Sequence, residues 1–206
     1  MNPNTFPTKG NLILAKNSLK LAKQGYELMD KKRNILMREL MELIDTAKDI
    51  QREIDTTFTS AYLSLQQANI EMGIVNVQEL SNTITEEDSI EIKQRSIMGT
   101  EIPLVEYDSS VSKPTYAFFQ TKLSLDEATK RFVKVKDLTI RLSMIENSAY
   151  RLATNINKTQ KRANALKNIT IPSYTHLVTE IQNALEEKER EEFTRLKVIK
   201  RRQTAQ

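Results

Sequence analysis

Residues Leu12–Ile50 read LILAKNSLKLAKQGYELMDKKRNILMRELMELIDTAKDI. Through and just beyond this stretch, Leu12, Ala15, Leu19, Ala22, Tyr26, Met29, Arg33, Leu36, Leu40, Leu43, Ala47, Ile50 and Ile54 follow at alternating steps of three and four. That spacing is an α-helical heptad seam, and Arg33 is its only charged member. An arginine there either snorkels to solvent, the preferred reading, or fixes register at some cost in stability. After Ile54 the seam takes a second step of four to Phe58, then resumes through Ala61, Leu65, Ala68 and Met72. Such an extra four is a stutter, which locally unwinds a left-handed supercoil. The stripe is about two residues wide in seven, enough to bury against one partner helix and too narrow for a thick bundle.

The partner stripe lies in the same chain. Ala128, Phe132, Val135, Leu138, Leu142, Ile145, Ala149, Leu152, Ile156, Thr159, Ala163 and Leu166 form a second seam. Just before it, Ser124 and Glu127 match a capping box, unless a helix already runs from near Tyr116. Pro172 disfavours helical geometry at Ile171, so a kink or short break is expected across residues 168–173. Helical spacing returns at Tyr174, Leu177, Ile181 and Leu185 and continues to Leu196 and Ile199.

Between the seams the texture changes. Ser89 to Arg95 alternates apolar and polar, Met98-Gly99-Thr100 offers a turn, and Glu101 to Tyr107 (EIPLVEY) follows. That predicts a short β-hairpin, with Pro103 confining its second strand to a sheet edge. Asp108 to Pro114 reads as a polar loop. The expected fold is therefore all-α: a long antiparallel two-stranded coiled coil of N- and C-terminal helices with a β-hairpin/loop insertion. The expected segments are residues 1–73, 74–115 and 116–206 of one elongated domain. Alanines at positions 15, 22, 47, 149 and 163 would let the two backbones approach closely.

Composition supports long helices and excludes several chemistries. The 206 residues include only four glycines and five prolines, 6% aromatics, no tryptophan and no cysteine. Few breakers favour helix, and the missing cysteine removes disulfides, thiolate metal sites and cysteine nucleophiles. No apolar run of 18 residues is present and the amino terminus lacks a signal core, which predicts a soluble chain that meets a membrane only through partners. The net charge is +4, unevenly spread. Met1 to Arg38 holds eight Lys/Arg against Glu27 and Asp30, and Phe193 to Gln206 holds five basic residues and no acid. Glu71 to Asp108 reverses this, with nine acids against Lys93 and Arg95. If the helices fold back, both termini share a basic end and the hairpin end is acidic.

Catalytic motifs are missing. The one histidine, His176, has no carboxylate at helical spacing before Glu180, and the scattered glycines form no phosphate-binding loop. The acidic cluster Glu186 to Glu192 is interrupted by Lys188 and Arg190 and reads as a solvated helix face rather than a metal site. Asn147 to Thr179 carries five Lys/Arg and no acid, which raises nucleic-acid binding. Tyr150 and Tyr174 are too isolated to supply a stacking platform, so that reading is disfavoured.

Polar identities that heptads do not demand carry a resemblance. They are Pro7-Thr8-Lys9, Gly25 and Lys31-Lys32-Arg33 in the first helix, and Lys158-Thr159, Arg162, Asn164-Ala165-Leu166 and Ile171-Pro172 in the second. Leu185-Glu186-Glu187, Glu189-Arg190-Glu191, Arg195-Leu196-Lys197 and Lys200 complete them. With these the whole chain resembles the D subunits of the V/A-type rotary ATPases and ATP synthases. Lys161 departs mildly, standing where that family more often has arginine.

The resemblance implies a non-catalytic central rotor shaft with no cofactor and no metal. It would couple ATP hydrolysis or synthesis to rotation of a proton- or sodium-translocating ring. Its implied partners are the A and B subunits of the catalytic hexamer, the F subunit, and a C/d-type socket on the rotor ring; nucleic acid is not among them. Its implied place is cytoplasmic and peripheral to the membrane. Candidate hexamer contacts are Lys9, Lys16, Lys20, Lys158, Lys161, Arg162, Arg190, Arg195, Lys197 and Lys200. Candidate contacts for the F subunit and the socket are Ile90, Ile92, Ile97, Met98 and Leu104. The competing readings are a coiled-coil scaffold or tether, which gives no reason for a hairpin between the helices, and a basic nucleic-acid-binding helical protein.

Overall fold

The computed structural model describes residues 6–84, 88–107, 116 and 121–204. The expected loop at Asp108–Pro114 lies outside them. Helix α1 runs from Lys9 to Met72 without interruption, followed by a short α2 (Ile74–Ser81). Strands β1 (Glu91–Ile97) and β2 (Thr100–Glu106) form a two-stranded antiparallel sheet. Helix α3 (Leu123–Ala165) continues through a π-helical turn, Leu166–Thr170, into α4 (Ile171–Thr204).

Local chemistry sets the helix ends. The Asn11 amide donates to Thr8 Oγ1 at 3.2 Å, and the Asn11 side-chain amide reaches back to the Phe6 carbonyl at 2.8 Å. Thr8 thus caps the first turn, satisfying donors that an unfinished helix leaves without partners. At the other end Gly73 takes φ +85°, left-handed backbone that favours glycine, and separates α1 from α2.

One expectation needs correction and a second needs detail. The capping box before the second seam does not form. Helix α3 starts at Leu123, Ser124 donates to Glu71 Oε2 at 2.8 Å, and Glu127 pairs with Arg131 at 3.7 Å. Hydroxyl and carboxylate each found a partner outside the box. At residues 168–173 no full break occurs, but the regular α-helix gives way just there to a π-helical turn, Leu166–Thr170. Pro172 follows a π-helical turn directly, and the wider register there, in which the Ile171 N–H reaches the Leu166 carbonyl, accommodates a residue that has no N–H to give. The wider π turn just before it keeps the chain helical.

The chain forms two compact units. The terminal unit comprises Met1–Asn34 and Asn157–Gln206, and the inner unit Ile35–Ile156. In the terminal unit the helices are antiparallel: Lys9 pairs with Glu189 at 3.2 Å, Gly25 faces Leu166, and Lys167 lies over the Tyr26 ring at 5.9 Å. Arg33 bonds Asp30 at 2.7 Å and donates to Gln160 Oε1 at 2.8 Å on the returning helix. The partly exposed guanidinium thus has Asp30 and Asn34 on its own helix and Gln160 across from it as acceptors. Buried here are Ala15, Ala22, Thr159, Ala163 and Ile181.

In the inner unit α1 and α3 are likewise antiparallel. Leu36 packs with Leu152 and Ile156, Glu53 with Lys134 (2.9 Å), Tyr62 with Phe132 edge to face (5.6 Å), and Ala68 with Leu125. Leu36 and Leu152 are fully enclosed. Past the stutter the most buried line is Thr57, Ala61, Ser64 and Ala68, so Phe58 and Leu65 lie beside the closest approach instead of on it. These small residues make room for Arg131, which donates to the Ser60 carbonyl at 2.9 Å and to Ser64 Oγ.

The hairpin lies against the inner unit's helices. Positive φ at Met98 (49°) and Gly99 (73°) is what a two-residue type I′ turn requires, and Ile97 then pairs with Thr100. An isolated two-stranded hairpin is marginal in water, so it must bury one side. Thr100 and Ile102, two residues apart on β2, turn inward, and Ile102 joins Leu36, Leu152 and Ile156. The hairpin therefore does not form the far acidic end expected above. The helix α2, packing Val77 onto Ala68 and Leu125, covers the part of the unit where α1 ends.

Candidate functional site

Among the described residues no group of three or more His, Cys, Asp or Glu is placed to hold a metal, and no helix is long and apolar enough to cross a membrane. His176 is exposed on α4, its Nδ1 3.4 Å from Glu180 Oε2. The chemistry on offer is that of surfaces.

All ten basic candidates for the hexamer contact fall in the terminal unit. Every one is exposed. Several are already in weak ion pairs: Lys9 with Glu189, Arg190 with Glu186 (3.9 Å) and Arg195 with Glu191 (3.9 Å). Between exposed side chains such pairs contribute little and are easily exchanged for a partner's carboxylates. The basic run from Lys158 to Lys167 splits by direction. Lys158, Lys161 and Arg162 face outward, whereas Lys167 is drawn over Tyr26.

The same unit carries an apolar surface that the seam does not use and that sequence reasoning missed. Leu14, Leu21 and Leu28 are each more than 60% exposed, at a spacing of seven on α1. On α4, Phe193, Leu196, Val198 and Ile199 are exposed as well. The signal was available in sequence, since Leu14, Leu21 and Leu28 repeat as regularly as the seam one step away. A second heptad stripe on one helix has the form of a second contact surface, and none of the described residues of the terminal unit covers this one.

The five apolar hairpin candidates belong to the inner unit and divide by role. Ile97 packs against the cluster of Leu36, Ile102, Leu152 and Ile156, so it helps hold the hairpin to the helices. Ile90, Ile92, Met98 and Leu104 stay exposed. The hairpin is fixed by polar contacts from α3: Asn155 donates to Thr100 Oγ1, Arg151 donates to the Glu101 carbonyl at 3.2 Å, and the Val105 amide donates to Met144 Sδ at 3.4 Å. The surface it presents is therefore preorganised.

Farther along, Glu71 accepts from Gln67 (2.7 Å) and Ser124 (2.8 Å), and these bonds hold its carboxyl below the ordinary carboxylate value. Tyr116 donates to Asp126 Oδ1 at 2.7 Å, and burial together with this bond raises its phenol above the usual range.

An antiparallel helical pair with outward apolar and basic stripes, and a clasped β-hairpin on its flank, defines an interaction protein of the coiled-coil class. Comparison with known proteins makes this particular. The family of ATP synthase D subunits matches residues 11–201. A V-type ATP synthase D subunit from Thermotoga neapolitana is 44% identical over 194 residues, covering 94% of this chain and 96% of its own. The A-type ATP synthase D subunit of Pyrococcus furiosus is 36% identical over 197 residues, covering 94% of this chain and 92% of its own. That of Thermococcus kodakarensis is 35% identical over 200 residues (96% and 94%). The chain belongs to the family of ATP synthase D subunits, which are non-catalytic central-stalk subunits of the rotary ATPase.

Proposed function

We propose that this chain is the rotor shaft of a V/A-type rotary ATPase. Its terminal unit sits within the hexamer of A and B subunits, and its hairpin-bearing unit engages the F subunit and a C/d-type socket on the membrane ring. The observation that carries this is the terminal unit's outward surface: heptad-spaced Leu14, Leu21 and Leu28, flanked by exposed Lys16 and Lys20. A tether needs its seam covered and its outside wet, whereas a shaft enclosed by other subunits needs apolar surface on its outside too.

The mechanism follows from asymmetry. A shaft without rotational symmetry meets each interface of a surrounding ring differently, so its angle biases which interface closes on nucleotide. By linkage, nucleotide-driven closure biases the angle in return. The chain transmits torque and supplies no reacting group. The transported ion, proton or sodium, is selected by membrane subunits, and this chain works on the cytoplasmic side, peripheral to the membrane. Lys158, Lys161 and Arg162 belong to the bearing surface.

Native mass spectrometry of complexes recovered on the tagged chain tests the proposal. A single copy with A-type and B-type subunits and a small F-type partner is expected. Recovery as a homodimer, or with nucleic acid and no ATPase subunits, would overturn it in favour of a scaffold or a nucleic-acid binder. Charge reversal at Lys158, Lys161 and Arg162 together should uncouple hydrolysis from rotation or prevent assembly; intact coupling would remove those three from the bearing.

A further inference from the structure

In the terminal unit the returning helix changes phase against its partner, and the partner does not. From Thr159, Ala163 and Leu166, alternating steps of four and three would next turn Thr170, Ser173, Leu177 and Glu180 toward α1. Beyond the π turn the inward line runs one residue later. Tyr174 is half-buried and Ile181 is 3% exposed, whereas Ser173 and Glu180 are exposed. Leu177 and Val178, both half-buried, straddle the line between them. On the facing helix Leu12, Ala15, Leu19, Ala22, Tyr26 and Met29 keep the alternation without such a shift.

The π turn matches this shift in place and in size. It occupies Leu166–Thr170, and the Ile171 N–H donates to the Leu166 carbonyl, five residues back instead of four. One more residue is thus taken up within a single turn. The residues after it sit about 100° behind where an unbroken α-helix would carry them. In an unbroken helix with the same upstream seam, Ser173 and Glu180 would be turned inward. Glu180 would then leave the outer position where it meets His176 at 3.4 Å. Burying a carboxylate in a seam lined by Ala15, Ala22 and Ala163 is costly, while burying Tyr174 and Ile181 is favourable.

We propose that the π turn sets the rotational phase of α4: it takes up one residue of the returning helix, so that Tyr174 and Ile181 rather than Ser173 and Glu180 face α1. The turn thereby also sets the direction in which α4 carries its exposed Arg190, Phe193 and Arg195. Packing on both sides of the turn demands it. Pro172, which has no N–H, suits the wide turn without being its cause. The inference concerns how the terminal unit is built, and it stands whether or not that unit is the bearing of a shaft.

The chain has no cysteine, so single introduced thiols can report the phase through their labelling rates. In the full chain Glu180→Cys should label rapidly and Ile181→Cys more slowly by about tenfold or more. Deletion of Ile169 removes the residue that the turn takes up. The turn should then close as α-helix, and the Ile181→Cys thiol should stay slow. Deletion of Thr179, beyond the turn, should rotate the same thiol outward and make it fast. Pro172→Ala removes no residue and should leave it slow. An Ala22→Cys thiol on α1 shows whether a deletion has instead unfolded the unit; where it has, the Pro172→Ala chain decides. Fast labelling of Ile181→Cys in that chain, or in the Ile169 deletion while Ala22→Cys stays slow, would overturn the inference. So would equal rates at Glu180→Cys and Ile181→Cys in the otherwise unaltered chain. Slow labelling after the Thr179 deletion would count against it as well, since no particular turn would then set the phase.

Discussion

In the inner unit Leu36 and Leu152 are fully enclosed, and the hairpin adds Ile102 as a third contributor to their cluster. In the terminal unit the buried apolar positions among the described residues are mostly alanines, at 15, 22 and 163, with Ile181 the one large side chain among them. The larger apolar residues Leu14, Leu21, Leu28, Phe193 and Leu196 are turned outward instead. Both units leave large apolar side chains exposed, Leu63, Ile70 and Tyr150 in the inner one among them, yet only the inner unit encloses bulky side chains completely among the described residues.

The largest effect expected from breaking this contrast is at Leu152. Truncation to alanine removes one of two fully enclosed side chains, where surrounding helices and hairpin cannot readily collapse. Leu152→Ala should cost about 2–5 kcal/mol, read as a fall in the urea midpoint. A loss below about 1 kcal/mol would mean that the inner unit is no better packed than the terminal one.

Arg33 is next. It stands one seam position before Leu36, yet it reaches across to Gln160 and pairs with Asp30 on its own helix. Replacement by alanine strips Asp30, Gln160 and Asn34 of a charged donor in a half-exposed setting, with an expected cost of about 1–2 kcal/mol. Arg33→Met tests whether the clasp or the packing matters. Recovery of full stability by methionine would show that the polar clasp adds no net stability.

Arg33 also marks the limit of what the sequence discloses. Heptad spacing placed the seam correctly, because each step of three or four fixes which side of a helix faces its partner. None of the seam residues from Leu12 to Ile54 or from Ala128 to Leu166 is exposed. The turn at Met98-Gly99 and the edge role of Pro103 were legible for similarly local reasons. Where the hairpin would lie was not legible, because that depends on Asn155 and Arg151, far away in sequence, meeting the Thr100 side chain and the Glu101 carbonyl. Ser124 failed as a cap for the same reason, its partner being Glu71. The outward stripe at Leu14, Leu21 and Leu28 was present as a pattern, but a search for one seam hides a second.

A smaller effect, with a pH signature, is expected at Tyr116. Burial, then the bond to Asp126, raise its pKa above the ordinary 10.0, so the fold favours the protonated phenol. A raised folded-state pKa gives a contribution fully present below pH about 10 and lost as pH climbs through the raised value. Tyr116→Phe should cost about 0.5–1.5 kcal/mol at neutral pH, and the gap to the unaltered chain should narrow above pH about 10. A gap that stays constant through that range would show that the phenol proton is not what the inner unit holds.

The smallest effect on stability is expected where the effect on assembly is greatest. Leu14, Leu21 and Leu28 are exposed, so serine in their place exposes no core and leaves no buried group unsatisfied. Apart from serine's somewhat weaker helix propensity, the isolated chain should unfold within about 0.5 kcal/mol of its original value per site. If other subunits enclose this surface, the same three changes remove apolar area from a desolvated contact, at roughly 25 cal/mol for each Å² no longer buried. Recovery of A-type and B-type subunits on the triple variant should then fall sharply while capture of the small hairpin-side partner is retained. Should both partners be lost together, the two units would not be separate docking surfaces. Should neither be lost, the outward leucines are merely tolerated, and the bearing must rest on the basic side chains around them.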